Sequence, residues 1–113
     1  MTEEGFRRIA LELPGTIESA HMGHPDFRVG GKIFATLWPK DGWAMVKLTR
    51  DEQEAFVQAL PHVFAPVKGA WGRQGATSVR LRRATKAVAR DGLIAAWRGR
   101  APKRLVREFD SER

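Results

Sequence analysis

The chain has 113 residues, an apolar fraction of 42 % and no cysteine. That length suits a single domain, residues 1–113, able to bury about two thirds of its unfolded surface. The missing thiols exclude disulfides, thiolate catalysis and cysteine-held zinc. The formal charge of +7 is unevenly spread: residues 1–67 hold seven Lys or Arg against nine Asp or Glu, whereas residues 68–107 hold twelve against one acid, Asp91. Such asymmetry favours a polyanionic partner. The opening MTEEGFRRIALEL is amphipathic rather than a signal peptide. No apolar run approaches the ~20 residues of a membrane span, so a cytoplasmic protein is expected.

Residues 3–13 read as a helix. Thr2 is placed to cap it, and Phe6, Ile9, Ala10 and Leu13 recur at helical spacing until Pro14-Gly15. The period then changes to alternation. Phe27 to Val29 and Lys32 to Trp38 flank Gly30-Gly31, a two-residue hairpin signal. In the second arm Ile33, Ala35 and Leu37 are expected on one face and Phe34, Thr36 and Trp38 on the other, as befits a central strand. Pro39 to Gly42 turns the chain into a third strand, Trp43 to Leu48.

Thr49-Arg50-Asp51-Glu52 has the pattern of a capping box. The helix it opens runs to Leu60, with Ala55, Phe56, Ala59 and Leu60 expected on the buried side. Residues 62–75 read as an irregular connection, and 78–82 as a strand with Arg80 and Arg82 on its outer face. A last helix over 85–99 would bury Val88 or Ala89, Leu93, Ala96 and Trp97. Its Gly92 costs about 1 kcal/mol against alanine, which signals close packing there. The order is α-β-β-β-α-β-α: an α+β fold with one antiparallel sheet and its helices on one face.

The blocks GHPDFRVGGKIFATLWP (23–39), FAPVKGAWGRQGATSVRL (64–81) and APKRL (101–105) resemble the MmcQ/YjbR family. The helix ending ALELPG and the helix opening LTRDEQEAF resemble it too. The likeness spans the chain in order. It implies a compact CyaY-like fold, one compared with a double-wing DNA-binding arrangement, and a DNA-binding role. Gly31-Lys32, Trp71-Gly72 and Lys103-Arg104 fall on family motif positions. No catalytic residue is implied. Iron handling of the frataxin kind would want an acidic ridge, which the first helix, with Glu3, Glu4 and Glu12 among basic neighbours, does not supply.

The residues themselves point the same way. Serines occur only at 19, 78 and 111, none in a nucleophile elbow, so no enzyme is expected. His21 and His24 flank Met22-Gly23 and His62 lies far along the chain, a poor basis for a metal site, and no cofactor is expected. Trp38, Trp43 and Trp71 are expected to close the rim of the core, although Trp71 could instead stack on a base or ligand. The basic set remains: Arg73, Arg80, Arg82, Arg83, Lys103 and Arg104. Arginine forks suit phosphate, and alternate strand positions set two of them roughly 7 Å apart. This predicts backbone contacts to nucleic acid, double-stranded DNA foremost, with little sequence preference. The competing expectation is a non-catalytic module for an acidic protein or a small ligand, with a pocket around His24, Lys32 and Trp71.

Overall fold

The structure, a computed structural model, describes residues 1–112. Helix α1 (Glu3–Glu12) starts where expected, the Thr2 side chain accepting from the Gly5 N–H, and buries Phe6, Ile9 and Ala10. Four strands follow: β1 (Ile17–His21), β2 (His24–Val29), β3 (Lys32–Trp38) and β4 (Trp43–Lys47). Next come α2 (Arg50–Ala59), β5 (Phe64–Pro66), the short α3 (Ala70–Arg73), β6 (Ala76–Arg80), α4 (Lys86–Arg100) and α5 (Lys103–Ser111). The strands form one sheet in the order β1-β2-β3-β4-β6-β5, every neighbouring pair antiparallel. No helix among the described residues is long and apolar enough to cross a membrane.

The α+β class, the single antiparallel sheet and the central place of Lys32–Trp38 all match the sequence reading. Four elements were not read from the pattern. Strand β1 is a polar edge strand, exposed along most of its length, so it lacks the apolar alternation that reveals a half-buried strand. Strand β5 and helix α3 are three and four residues long, too short to show any period. Helix α5 hides in a charged segment whose Leu105, Val106 and Phe109 pack against the core.

The facing of β3 also departs from simple alternation. Phe27 pairs with Ala35 and Arg28 with Ile33, leaving Phe34 opposite no residue. This is a β-bulge, which puts one extra residue on the strand and shifts the phase of what precedes it. Phe34 therefore joins Ala35 and Leu37 in the core, all three fully buried. Ile33 moves to the opposite face with Thr36 and Trp38.

On the core face α4 packs across β3 and β4 and against α1, while α2 contacts β5. Ala89, Gly92, Leu93, Ala96 and Trp97 form the buried side of α4. Gly92 packs closely: a Cβ there would stand 3.3 Å from the Phe64 ring, itself buried and edge-on to Phe56 at 5.0 Å. The α2 face is rotated from expectation. Ala55 and Ala59 are exposed, and Gln53, Phe56, Val57 and Leu60 turn inward. The Gln53 amide explains the rotation, since it donates to the carbonyls of Gly72 (2.9 Å) and Ala76 (3.1 Å) and to Thr77 Oγ1 (3.2 Å), groups at a bend that needs partners.

Candidate functional sites on the open sheet face and at the β6–α4 corner

Strand β6 ends at Arg80, and residues Leu81–Arg83 form a 3₁₀ turn. Arg80 and Arg82 thus do not alternate along one strand face. The reason is Leu81, buried at 2 % exposure, which pulls the chain inward and bends it toward α4. The bend gathers Arg80, Arg82 and Arg83 around one cleft of about 440 Å3. None of the three is paired with a carboxylate among the described residues. The Arg80 guanidinium carbon lies 5.1 Å from the Trp43 ring centroid, a cation–π contact that steadies it.

The other basic residues lie elsewhere. Arg73 ends α3, where its carbonyl accepts from Arg50 Nη1 at 2.7 Å. Lys103 and Arg104 begin α5, and Arg104 faces Glu108 at 3.6 Å. The 15 residues of α4 stand between Arg83 and Lys103, about 22 Å of helix at ~1.5 Å per residue. The six cations predicted as one surface are therefore split, with three at one corner.

The sheet face turned away from α4 has its own organisation. Pairing aligns Arg80, Trp43 and Trp38 across β6, β4 and β3, and His24 lies against Trp38 with ring centroids 5.0 Å apart. The adjacent row carries Ser78, Met45, Thr36 and Asp26. Over these rows opens a cleft of about 480 Å3, lined mainly by apolar side chains. His24 and Trp71 both line it, as the pocket reading required, but Lys32 does not. Lys32 follows the Gly30-Gly31 turn at the far end of the hairpin and is exposed; Lys47 of β4 is the lysine at the cleft.

Trp71 does not close the core. It is 68 % exposed, because Gly72, not Trp71, is the buried residue of α3. A Cβ on Gly72 would fall 1.6 Å from the Val67 carbonyl oxygen, so α3 presses its glycine inward and turns the indole out. Trp38 and Trp43 are half-buried along the outer face, and Trp97 alone of the four is fully buried.

The histidines have separate settings. His21 Nδ1 lies 2.7 Å from Asp26 Oδ2, and Arg28 donates to the same carboxylate through Nε (2.8 Å) and Nη2 (3.0 Å). The Arg28 hydrogen bonds hold the Asp26 carboxyl below its ordinary pKa against the opposing effect of burial, and His21 adds to the lowering. His24 stacks on Trp38, and His62 is exposed in the turn after α2. Among the described residues no three His, Cys, Asp or Glu side chains come together as metal ligands.

Six antiparallel strands, helices packed on one face, one cleft over the other face and one at the β6–α4 corner define a small α+β domain with much of one sheet face left open. The YjbR family model matches residues 11–99, and the chain belongs to the YjbR family. Its fold is similar to that of the Deinococcus radiodurans protein DR2400, a crystal structure with a DUF419 domain. The TM-score is 0.71 at 20 % identity, over 85 % of this chain and 75 % of that one. No curated protein matches the chain.

Proposed function

We propose that this YjbR-family protein is a non-catalytic, cytoplasmic nucleic-acid-binding protein. It holds duplex DNA by the phosphate backbone, with little preference for sequence. The observation that supports this reading is the β6–α4 corner, where Arg80, Arg82 and Arg83 edge one cleft with no carboxylate among the described residues neutralising them. Guanidinium forks left unpaired suit phosphate oxygens, and each phosphate contact releases a counterion.

The test is a salt titration of binding to unrelated duplexes, read by fluorescence anisotropy. For Arg82→Ala with Arg83→Ala, affinity should fall by similar factors on every duplex, and the salt slope should drop by up to about two, at roughly 0.9 for each lost contact. Lys103→Ala with Arg104→Ala should leave the slope in place. An unchanged slope in the first variant, or no binding by the wild type at about 100 mM salt, overturns the reading.

A further inference from the structure

The cleft of the open sheet face lies apart from the arginine corner, and none of Arg80, Arg82 or Arg83 lines it. Its walls are Ile33, Trp38, Met45, Val67 and Trp71. An open sheet face that served only solvation would carry polar residues there. Trp71 is instead 68 % exposed and Met22, at the rim, 91 % exposed. Met22 also holds a left-handed φ of 51°, which a side-chain-bearing residue seldom adopts.

A few polar groups converge on this apolar surface. Lys47 comes from β4, and His21 and His24 from the β1–β2 hairpin. Asp26, fully buried, engages His21 through Nδ1 and so leaves Nε2 as the ring's remaining polar atom. The third group is Thr36, which lines the cleft, is 1 % exposed, and whose hydroxyl oxygen has no hydrogen-bond partner. Buried hydroxyls in folded proteins are nearly always bonded, and an exception calls for an explanation. The Thr36 oxygen lies sealed beneath the cleft floor, so the polar groups open to a ligand are few and the walls mostly apolar, the composition of a small-molecule site.

The charges fix the sign of the ligand. The ionisable side chains lining the cleft, Lys47, His21 and His24, are each positive or neutral in any state of protonation. Asp26, the nearby acid, is already engaged by Arg28 and His21. The indoles of Trp38 and Trp71 favour a flat ring. We propose that this cleft binds a small aromatic carboxylate, its ring against Trp38 and Trp71, its carboxylate toward Lys47. The site is independent of the nucleic-acid reading and stands or falls separately.

The test is calorimetric titration with 1-naphthoate, with its methyl ester as the neutral control. The acid should bind with one-to-one stoichiometry, and the ester about tenfold more weakly, as expected when a charge-assisted contact is lost. Lys47→Met should bring the acid to the level of the ester without changing the ester. Trp71→Ala should weaken both. Because Trp71 is exposed, that variant should keep the wild-type melting temperature. Thr36→Val should raise the melting temperature and leave acid binding in place, since the hydroxyl lies sealed beneath the floor. Arg82→Ala with Arg83→Ala should leave naphthoate binding untouched, whatever it does to DNA. Equal binding of acid and ester, indifference to Trp71→Ala, no saturable heat, or a single-stranded oligothymidylate bound at the cleft where naphthoate is not, each overturns the proposal.

Discussion

Arg28 grips Asp26 from two residues away on the same strand, Nε to Oδ1 at 2.8 Å and Nη2 to Oδ2 at 3.0 Å. The pair is asymmetric: Asp26 is fully buried, whereas the arginine side chain is 32 % exposed. The carboxylate therefore depends on its partners far more than the guanidinium does. Asp26→Ala should cost about 2 kcal/mol, the scale of hydrogen bonds to a charged group. Chemical denaturation at neutral pH measures it.

The same carboxylate sets an acid limit. Its folded pKa lies below the unfolded value, chiefly through the Arg28 hydrogen bonds. A depressed carboxyl contributes stability that is fully present above the unfolded pKa of about 4 and is lost as pH falls through the lower folded value. The stability gap between wild type and Asp26→Asn should close as the solution is taken from about pH 5 toward pH 2. Urea titrations across that range read it directly. A gap that widened on acidification would contradict the assignment.

Gln53 ties α2 to the bend between α3 and β6. Gln53→Met keeps the volume but leaves the Gly72 and Ala76 carbonyls without this donor. The loss should be about 1 kcal/mol, the scale of a neutral hydrogen bond, since the Gly75 and Val67 N–H groups still donate to these carbonyls. Amide exchange should also quicken over residues 70–77, where α3 would lose its anchor. Unchanged exchange there would show that Gly72 packing alone holds the segment.

Gly92 sets two effects against each other. Alanine gains about 1 kcal/mol of helix propensity, but its methyl would press the Phe64 ring at 3.3 Å. Phe64 is 1 % exposed and held by Phe56, so it has little room to yield. Overpacking of this kind costs about 1–3 kcal/mol, and Gly92→Ala should be neutral to destabilising. In a Phe64→Leu background, itself less stable, the same change should become stabilising. Melting curves for the four proteins of that cycle decide it.

The long amphipathic elements were legible in the sequence because their burial follows one period. Helix α1 buries Phe6, Ile9, Ala10 and Leu13 as spaced, and Thr49 and Glu52 make the reciprocal capping bonds. Gly30 and Gly31 both take positive φ, as their hairpin demands. What could not be read depended on contacts distant in sequence. Trp71 faces solvent because the carbonyl of Val67 leaves no room for a side chain at residue 72. Arg82 leaves the strand because Leu81 is drawn into the core. Lys47 replaces Lys32 at the cleft through sheet register, which no local pattern encodes. His24 and Trp71 were found because an aromatic and an imidazole among glycines stand out as residue types, whatever their geometry.

The bulge at Phe34 makes one strand serve two clients in opposite phase. It commits Phe34, Ala35 and Leu37 to the interior and Ile33, Thr36 and Trp38 to the outer cleft. Either set can be altered by substitution, since each residue meets only its own side. A change of length away from the bulge has no such freedom. Deleting Phe34 would remove the bulge and leave Ile33, Thr36 and Trp38 outward and Ala35 and Leu37 inward in strict alternation, whereas deleting Thr36 would send one part of the strand to the wrong face. The core and the cleft are therefore separable by point mutation, and the bulge is a place where β3 can lose a residue without reversing its faces, at the cost of the Phe34 side chain in the core.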